Sequence, residues 1–374
     1  MRPRSRPSTH TRPRRPASRR GGQPQRGPCL VRMIVGTGLL LLLLAAGWWL
    51  WPQVATLGQR NGDSDAVPGA TATATSAAVA PGIVATASVP ATATAIVASV
   101  PSGPTSTIPA ISSIPLAMDD PDLARLMLDL INQDRQAHGL QPVDWDDRAA
   151  YAGALHAADM AAHNYFSHWS RSGHGPEYRF NQVGGMDNVM ENIFTQWYRF
   201  DDGRPAPIDD FGAIVRRAQA GLMDSPGHRA NILTPEHTHV GVGFAYNPET
   251  GSFYLAQQFV NRYVVLQPLP AQAALGARLQ VVGELLPGAR QPNINLTYQP
   301  FPQPMTLDEL NATSSYRRDA DIYQALNPDT TADGRFTAEV VLDHAGQAGL
   351  YSIRVWVDVQ GQSVLASEWL IEVR

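Results

Sequence analysis

Nothing constrains this chain more than the run from Met33 to Trp51, which is apolar throughout, carries no charge and contains Leu39 through Leu44. As a helix the run would extend about 28 Å, enough to cross the hydrocarbon of a bilayer. It divides the sequence into two parts expected on opposite sides of a membrane. Residues 1–32 hold ten arginines and no acidic residue, interleaved with Pro, Ser and Gly. Such a segment cannot bury a core, so it reads as a disordered basic tail, and by the positive-inside tendency it stays in the cytoplasm. Aromatic residues do not interleave the arginines, so a nucleic-acid partner is not expected. Trp48, Trp49 and Trp51 fall at the far interface. The alternative is a cleaved leader starting at Met33, but the small-residue cleavage pattern after Trp51 is poor. Either way, everything from residue 52 onward is expected to be extracytoplasmic.

The formal charge of −4 hides this asymmetry: of 29 basic and 33 acidic residues, ten basic ones lie in the tail, leaving an exported body near −14. The one cysteine, Cys29, precedes the apolar run. The exported part is therefore expected to be stable without disulfides, and the usual lipoprotein attachment is excluded.

From Pro52 to about Pro115, Ala, Thr, Val, Ser and Pro dominate without helical or alternating period, as in Ala70-Thr71-Ala72-Thr73-Ala74-Thr75. That reads as an extended stalk. Order is expected from Asp119-Asp120-Pro121, an acidic cap before proline at the first helical position, followed by Leu123, Leu126, Met127, Leu130 and Ile131 at helical spacing and stopped by Gly139. An alanine-rich helix is predicted from Asp147 to about His163 and another from about Asp210 through Leu222. Val240 to Tyr246 and Phe253 to Phe259 read as strands joined by a hairpin turn at Asn247-Pro248-Glu249-Thr250-Gly251. Beyond Gln267-Pro268-Leu269-Pro270, residues 278–286, 293–298, 335–342, 350–359 and 363–373 all read as strands, with no helix of comparable strength. The predicted organisation is a basic tail (1–32), a transmembrane anchor (33–51), a stalk (52–117), an α+β domain (118–265) and an all-β, broadly immunoglobulin-like sandwich (271–374). The linker from Gln267 to Ala274 is short and proline-containing, so limited relative motion is expected. The β-domain reads as a spacer or adhesion module, with Trp356 and Trp369 as carbohydrate-binding candidates if exposed.

Three segments concentrate polar residues where a core would not want them: His163-Asn-Tyr-Phe-Ser-His168, Glu191-Asn192-Ile193 and Ser225-Pro-Gly-His-Arg-Ala-Asn-Ile-Leu233. They follow His156-Ala-Ala-Asp-Met160 and are closed by Val240-Gly-Val-Gly243. In this order and spacing, roughly residues 122–262 resemble bacterial secretory members of the CAP superfamily, which comprises cysteine-rich secretory proteins, antigen 5 and pathogenesis-related proteins (the SCP-like domain). The resemblance implies an α-β-α sandwich with a cleft lined by two histidines and acidic partners, which in some relatives hold a divalent metal. The matching positions are His168, Glu191 and His228, with Asn192, Asp224 and Ser225 lining the cleft. Two imidazoles and a carboxylate also suit zinc or another divalent cation on chemical grounds, leaving a position open for water or ligand. The sequence departs from the family pattern at Ser225, where relatives place a second glutamate, at Met190 in place of glycine and at Leu222 in place of tryptophan. His138, His174, His237 and His239 fall outside the pattern. His237 and His239 are expected on a surface turn after Pro235.

The resemblance favours a non-enzymatic domain that binds a metal, a lipid or a peptide-like ligand of the cell envelope, ahead of a purely structural module. Metal-dependent hydrolysis is the third reading, with Glu191 as general base at a metal held by His168 and His228, or with Ser225 as nucleophile.

Overall fold

The computed structural model describes residues 108–313, 315 and 320–374, so the predicted tail, anchor and most of the stalk lie outside the described residues. Among the described residues, no helix is long and apolar enough to cross a membrane.

The first elements of the described residues are a 3-10 turn at Ile111–Ser113 and strand β1 (Ala117–Met118). Helix α1 (Pro121–Ala137) starts where its cap predicts, because the Asp120 carboxylate accepts from the backbone N–H groups of Asp122 and Leu123. Strand β2 (Asp144–Trp145) leads to α2 (Asp147–His163), capped by Asp146 and closed by Asn164 in the left-handed region. Then follow α3 (Pro176–Gln182), β3 (Asn188–Trp197), α4 (Phe211–Asp224), α5 (Pro226–Ile232), β4 (His239–Asn247) and β5 (Ser252–Asn261). The strands form one sheet in the order β1-β4-β5-β3, with β2 parallel to β4, so β3 is an edge strand.

Each face of this sheet is covered by helix, which makes an α-β-α sandwich. Leu123, Met127 and Ile131 of α1 and Ile214, Val215, Ala218 and Leu222 of α4 pack on Val240, Val242 and Phe244. On the opposite face α2 lies almost on the sheet backbone. A Cβ at Gly243 would come within 1.9 Å of the Ala154 nitrogen, and one at Gly241 within 2.0 Å of the Ala150 nitrogen. The Val-Gly-Val-Gly alternation thus carries bulk toward α1 and α4 and none toward α2, and the alanines of α2 are the matching half of that close approach.

The C-terminal part is β-rich, as its alternating runs predict. Strand β6 (Val264–Leu266) follows β5 almost directly, and then come β7 (Gln272–Ala273), β8 (Arg278–Leu285), β9 (Ala289–Gln299), helix α6 (Leu307–Ala312), β10 (Asp321–Leu326), β11 (Asp329–Thr330), β12 (Arg335–Val341), β13 (Gly349–Val359) and β14 (Gln362–Val373). Two sheets, β10-β9-β13-β14-β7 and β11-β12-β8-β6, enclose a common core that includes Val281, Ile294, Leu296, Phe336, Val340, Tyr351, Ile353 and Val355. Trp369 is buried, with its indole donating to the Pro270 carbonyl at 3.0 Å, so it is no exposed sugar platform. Trp356 is half-buried.

Helix α6 was not predicted. Its six residues are too few for a periodic signal, although Thr306 and Glu309 form a capping box. Leu310 of α6 is fully buried among Tyr151, Met160, Tyr165 and Trp169 of the α+β domain. The two parts are also joined by backbone pairing of Asp187 with Ser367 and by Asn181, which accepts from the Leu370 N–H at 2.8 Å and donates to the Glu368 carbonyl at 3.0 Å.

Candidate functional site

His168 lies in the loop between α2 and α3, and its Nδ1 is 2.8 Å from Oε1 of Glu191 on β3. The Glu191 carboxylate is fully buried, and its Oε2 accepts from Arg179 Nη2 of α3 at 2.6 Å and from Gln258 Nε2 of β5 at 2.5 Å. Gln258 is the strand partner of Glu191 in the β3–β5 register. Burial pushes the Glu191 pKa up, but Arg179 first, then His156 and His168, outweigh it and hold the carboxyl well below the usual range. Glu191 is therefore ionised, with its oxygens engaged by three donors. His156 of α2 lies behind it, its Nε2 3.9 Å from Oε1 and 2.8 Å from the Ser167 carbonyl, to which it donates. Burial and the Arg179 charge push His156 down to about 4, so it is neutral at pH 7.

His228 stands on α5 and is half-buried. Burial, and after it the charge of His168, push its pKa down to about 4, which leaves the imidazole neutral at pH 7. The backbone of α5 is anchored from the next residue of β3: Asn192 Nδ2 donates to the His228 carbonyl at 3.2 Å, and Asn192 Oδ1 accepts from Asn231 at 3.0 Å. Behind Asn192 runs a chain of side-chain amides. Asn192 donates to Gln257 (3.1 Å), Gln257 to Gln219 (2.8 Å) and Gln219 to the Asp134 carboxylate (2.7 Å). The buried Arg135 guanidinium holds the exit from α5 by donating to the carbonyls of Ile232 (2.8 Å) and Thr234 (2.9 Å).

His168 and Glu191 thus meet at the edge strand, and the helix that carries His228 is anchored on the next residue of that strand. Glu191 faces α2, Asn192 faces the opposite side, and the two histidine-bearing segments come together around β3. Asn192 is buried. Ser225 is half-buried at the junction of α4 and α5, and Asp224 is exposed beside it. As a donor set for a metal, Glu191 is poorly disposed, since Arg179 and Gln258 share its second oxygen and His168 the first. Among the described residues no three His, Cys, Asp or Glu side chains group closely enough to hold one ion. What fits is a pair of imidazoles, His168 and His228, with the Glu191 carboxylate behind the first of them.

Sequence reasoning missed Arg179 and Gln258. An arginine in the last turn of a short helix and a glutamine on a strand look like solvent-facing residues, and only the approach of that helix and the β3–β5 pairing turn them toward Glu191. The expectation for His237 is corrected: it is 3% exposed and stacked on Phe259 at 4.9 Å, with Nδ1 2.8 Å from Asn261 Oδ1 and Nε2 3.0 Å from Asn231 Oδ1. The chain turns inward after Pro235 because Arg135 draws its carbonyls toward the core. His239 is half-buried at the start of β4.

Cavities of about 810 Å3 between the segment at Ile108, α1 and α2, of about 640 Å3 along residues 299–305 and α6, and of about 410 Å3 at the junction of the two domains are not lined by these histidines.

An α-β-α sandwich with two histidines and a buried carboxylate at one sheet edge defines the class of this domain. Residues 128–259 match the model of the Cysteine-rich secretory protein family (CAP), so this part of the chain is a CAP domain. The chain is similar to the "Uncharacterized membrane protein YlbC" of Bacillus subtilis, 33% identical over 139 residues that make up 37% of this chain and 34% of that protein. It is also similar to the B. subtilis "Uncharacterized protein YkwD", 31% identical over 137 residues, 36% of this chain and 46% of that protein. The matches thus span less than half the length of either relative. Among solved structures, an extracellular protein containing an SCP domain from Bacillus anthracis str. Ames is 30% identical over 38% of this chain and 41% of its own, with a TM-score of 0.30. The CAP domain of enterococcal PrgA is 16% identical over 38% of this chain and 62% of its own, with a TM-score of 0.28.

Proposed function

We propose that this chain is a membrane-anchored, extracytoplasmic CAP protein whose cleft binds a divalent cation, zinc by donor type, through His168 and His228, together with a small lipid or peptide-like ligand of the cell envelope. The observation that carries the reading is the Glu191 carboxylate, 2.8 Å from His168 Nδ1 and fixed from behind by Arg179 and Gln258. A carboxylate so placed fixes the imidazole tautomer and raises the basicity of Nε2, the arrangement that orients a metal-bound histidine. The neutral state of His228 supports the same reading, because an imidazole must be unprotonated to bind a metal. A bound cation would supply a Lewis-acidic position in the cleft. Glu191, ionised and saturated by donors, acts in this reading as a positioning group rather than a general base. The apolar run at 33–51 and the similarity to YlbC, described as a membrane protein, support an envelope location, and the ten arginines of residues 1–32 support a cytoplasmic N-terminus. The C-terminal sandwich we read as immunoglobulin-like in the broad sense, on the strength of its two facing, mostly antiparallel sheets.

Calorimetric titration with zinc tests the metal. Wild type should bind, His168→Ala and His228→Ala should lose tight binding, and Glu191→Gln should weaken it about 10- to 100-fold. No binding by wild type would leave the cleft as a purely organic ligand site.

A further inference from the structure

The loop that carries His168 is held on its outer side by a segment that belongs, by chain order, to the other domain. Between β9 and β10 the chain leaves the β-sandwich, forms α6 and touches the loop at four residues that bracket His168. The Phe166 N–H donates to Asn311 Oδ1 at 2.9 Å, and the Ser167 hydroxyl lies 2.6 Å from the Thr313 hydroxyl. The Trp169 indole donates to the Ser315 carbonyl at 2.7 Å, and the Met305 N–H donates to the Arg171 carbonyl at 2.8 Å. The direction of the hydroxyl pair follows from its neighbours. Thr313 spends its own proton on the Leu310 carbonyl at 2.7 Å, so Ser167 is the donor and Thr313 accepts. Two further contacts preclude sliding: Leu310 is fully buried in the α2-side core, and a Cβ at Gly173 would fall 2.3 Å from the Gln303 carbonyl.

From inside the domain the same loop is held at the Ser167 carbonyl by His156, at the His168 and His174 carbonyls by Arg179, and at the His168 imidazole by Glu191. Those bonds fix where the chain passes. The outer contacts, at Phe166, Ser167 and Trp169, hold the backbone on both sides of His168 and so share with Glu191 in setting the direction of the imidazole.

We propose that the β9–β10 crossover is a working wall of the CAP site: Asn311 and Thr313 are positioning residues that share with Glu191 in setting the His168 imidazole, and the C-terminal domain is part of the site rather than a spacer. The zinc arm of the test rests on the metal reading above, and the second arm does not. In the full chain, Asn311→Ala with Thr313→Val removes two of the four contacts and keeps Leu310. Zinc titrated alone should bind about tenfold more weakly, as when other outer partners of metal ligands are removed. Thr313→Ser, which keeps the acceptor, should bind like wild type. The second readout is the position and width of the His168 ring resonance in zinc-free, histidine-labelled protein. The resonance should shift and broaden in the double variant, stay in place in Thr313→Ser, and leave the His237 resonance unmoved. If wild type binds no zinc, the metal reading fails and the resonance alone decides the wall. An unchanged His168 resonance in a folded double variant overturns the proposal, as does a displacement shared equally by His168 and His237, which would mean general loosening.

Discussion

Adjacent residues of one strand serve the two faces of the sheet in different chemical terms. Glu191 and its strand partner Gln258 face α2, in a cluster built on charge, where a buried carboxylate meets Arg179 and the histidines. Asn192 and its partner Gln257 face the other way, in a cluster of neutral amides that ends at Asp134. Both clusters hold a histidine segment, but a buried charge depends on its counter-charge, whereas an amide chain spreads its cost over many modest bonds. The charged side should therefore fail abruptly when one partner is lost, and the amide side by degrees.

The largest expected effect tests the charged side. Arg179→Met should destabilise the protein by about 3–5 kcal/mol, because it strands a buried carboxylate. Adding Glu191→Gln should recover most of that loss in chemical denaturation. Equal instability of the single and double variants would show that Arg179 acts by packing. On the amide side, Gln257→Leu should cost about 1–3 kcal/mol through the unpaired ends left on Asn192 and Gln219. A loss as large as that of Arg179→Met would erase the contrast.

A second carboxylate near the domain junction, Glu177, sharpens the comparison through pH. Burial, then the charge of Glu368 across the domain junction, push the Glu177 pKa up to about 7, against Arg179 and Arg354. A raised carboxyl binds more protons in the folded state, so its stabilising effect is full below about 4.5 and is lost as pH rises through 7. Glu191 has the opposite sign, and its contribution persists until the pH falls below the ordinary carboxylate range. The melting temperature of wild type relative to Glu177→Gln should decline from pH 5 to pH 8, a difference from which the opposite rise contributed by His156, His228 and His237, all pushed down to about 4, cancels. A difference that stays flat would assign any decline in wild type to other groups, of which Asp187, raised to about 6 chiefly by burial, is the first to examine.

The smallest effects belong to the pair expected on one surface turn. His237→Ala should cost about 2 kcal/mol, since it leaves Asn231 and Asn261 each short of a buried partner. His239→Ala, half-buried and hydrogen-bonded to Thr238 Oγ1 at 2.9 Å, should stay within about 0.5 kcal/mol. Only His239 is then a fair control for zinc titrations. Comparable losses at both positions would place the amide cluster nearer the surface than the burial of His237 implies.

Local chemistry determined a good deal of this protein before any tertiary contact was known. Asp120-Pro121 set the start of α1, the alanines set α2, Asn247 to Gly251 set the β4–β5 hairpin, and the alternation of Tyr351, Ile353, Val355 and Val357 set a buried face of β13. Each signal lies within a few residues and rests on capping, turn conformation or side-chain period, so the linear sequence carries it. The three polar segments were visible as well, and their resemblance to the CAP pattern named His168, Glu191 and His228. What those residues do to one another was decided by the tertiary structure. Strand pairing put Gln258 against Glu191, α3 brought Arg179 to its second oxygen, and a crossover more than 130 residues later closed around the His168 loop. His237 went inside because Arg135, 102 residues earlier in the chain, draws carbonyls of the 232–237 segment toward the core. Such contacts are set by the packing of distant elements, and a buried charge or hydroxyl takes its role from whichever donor the fold delivers to it.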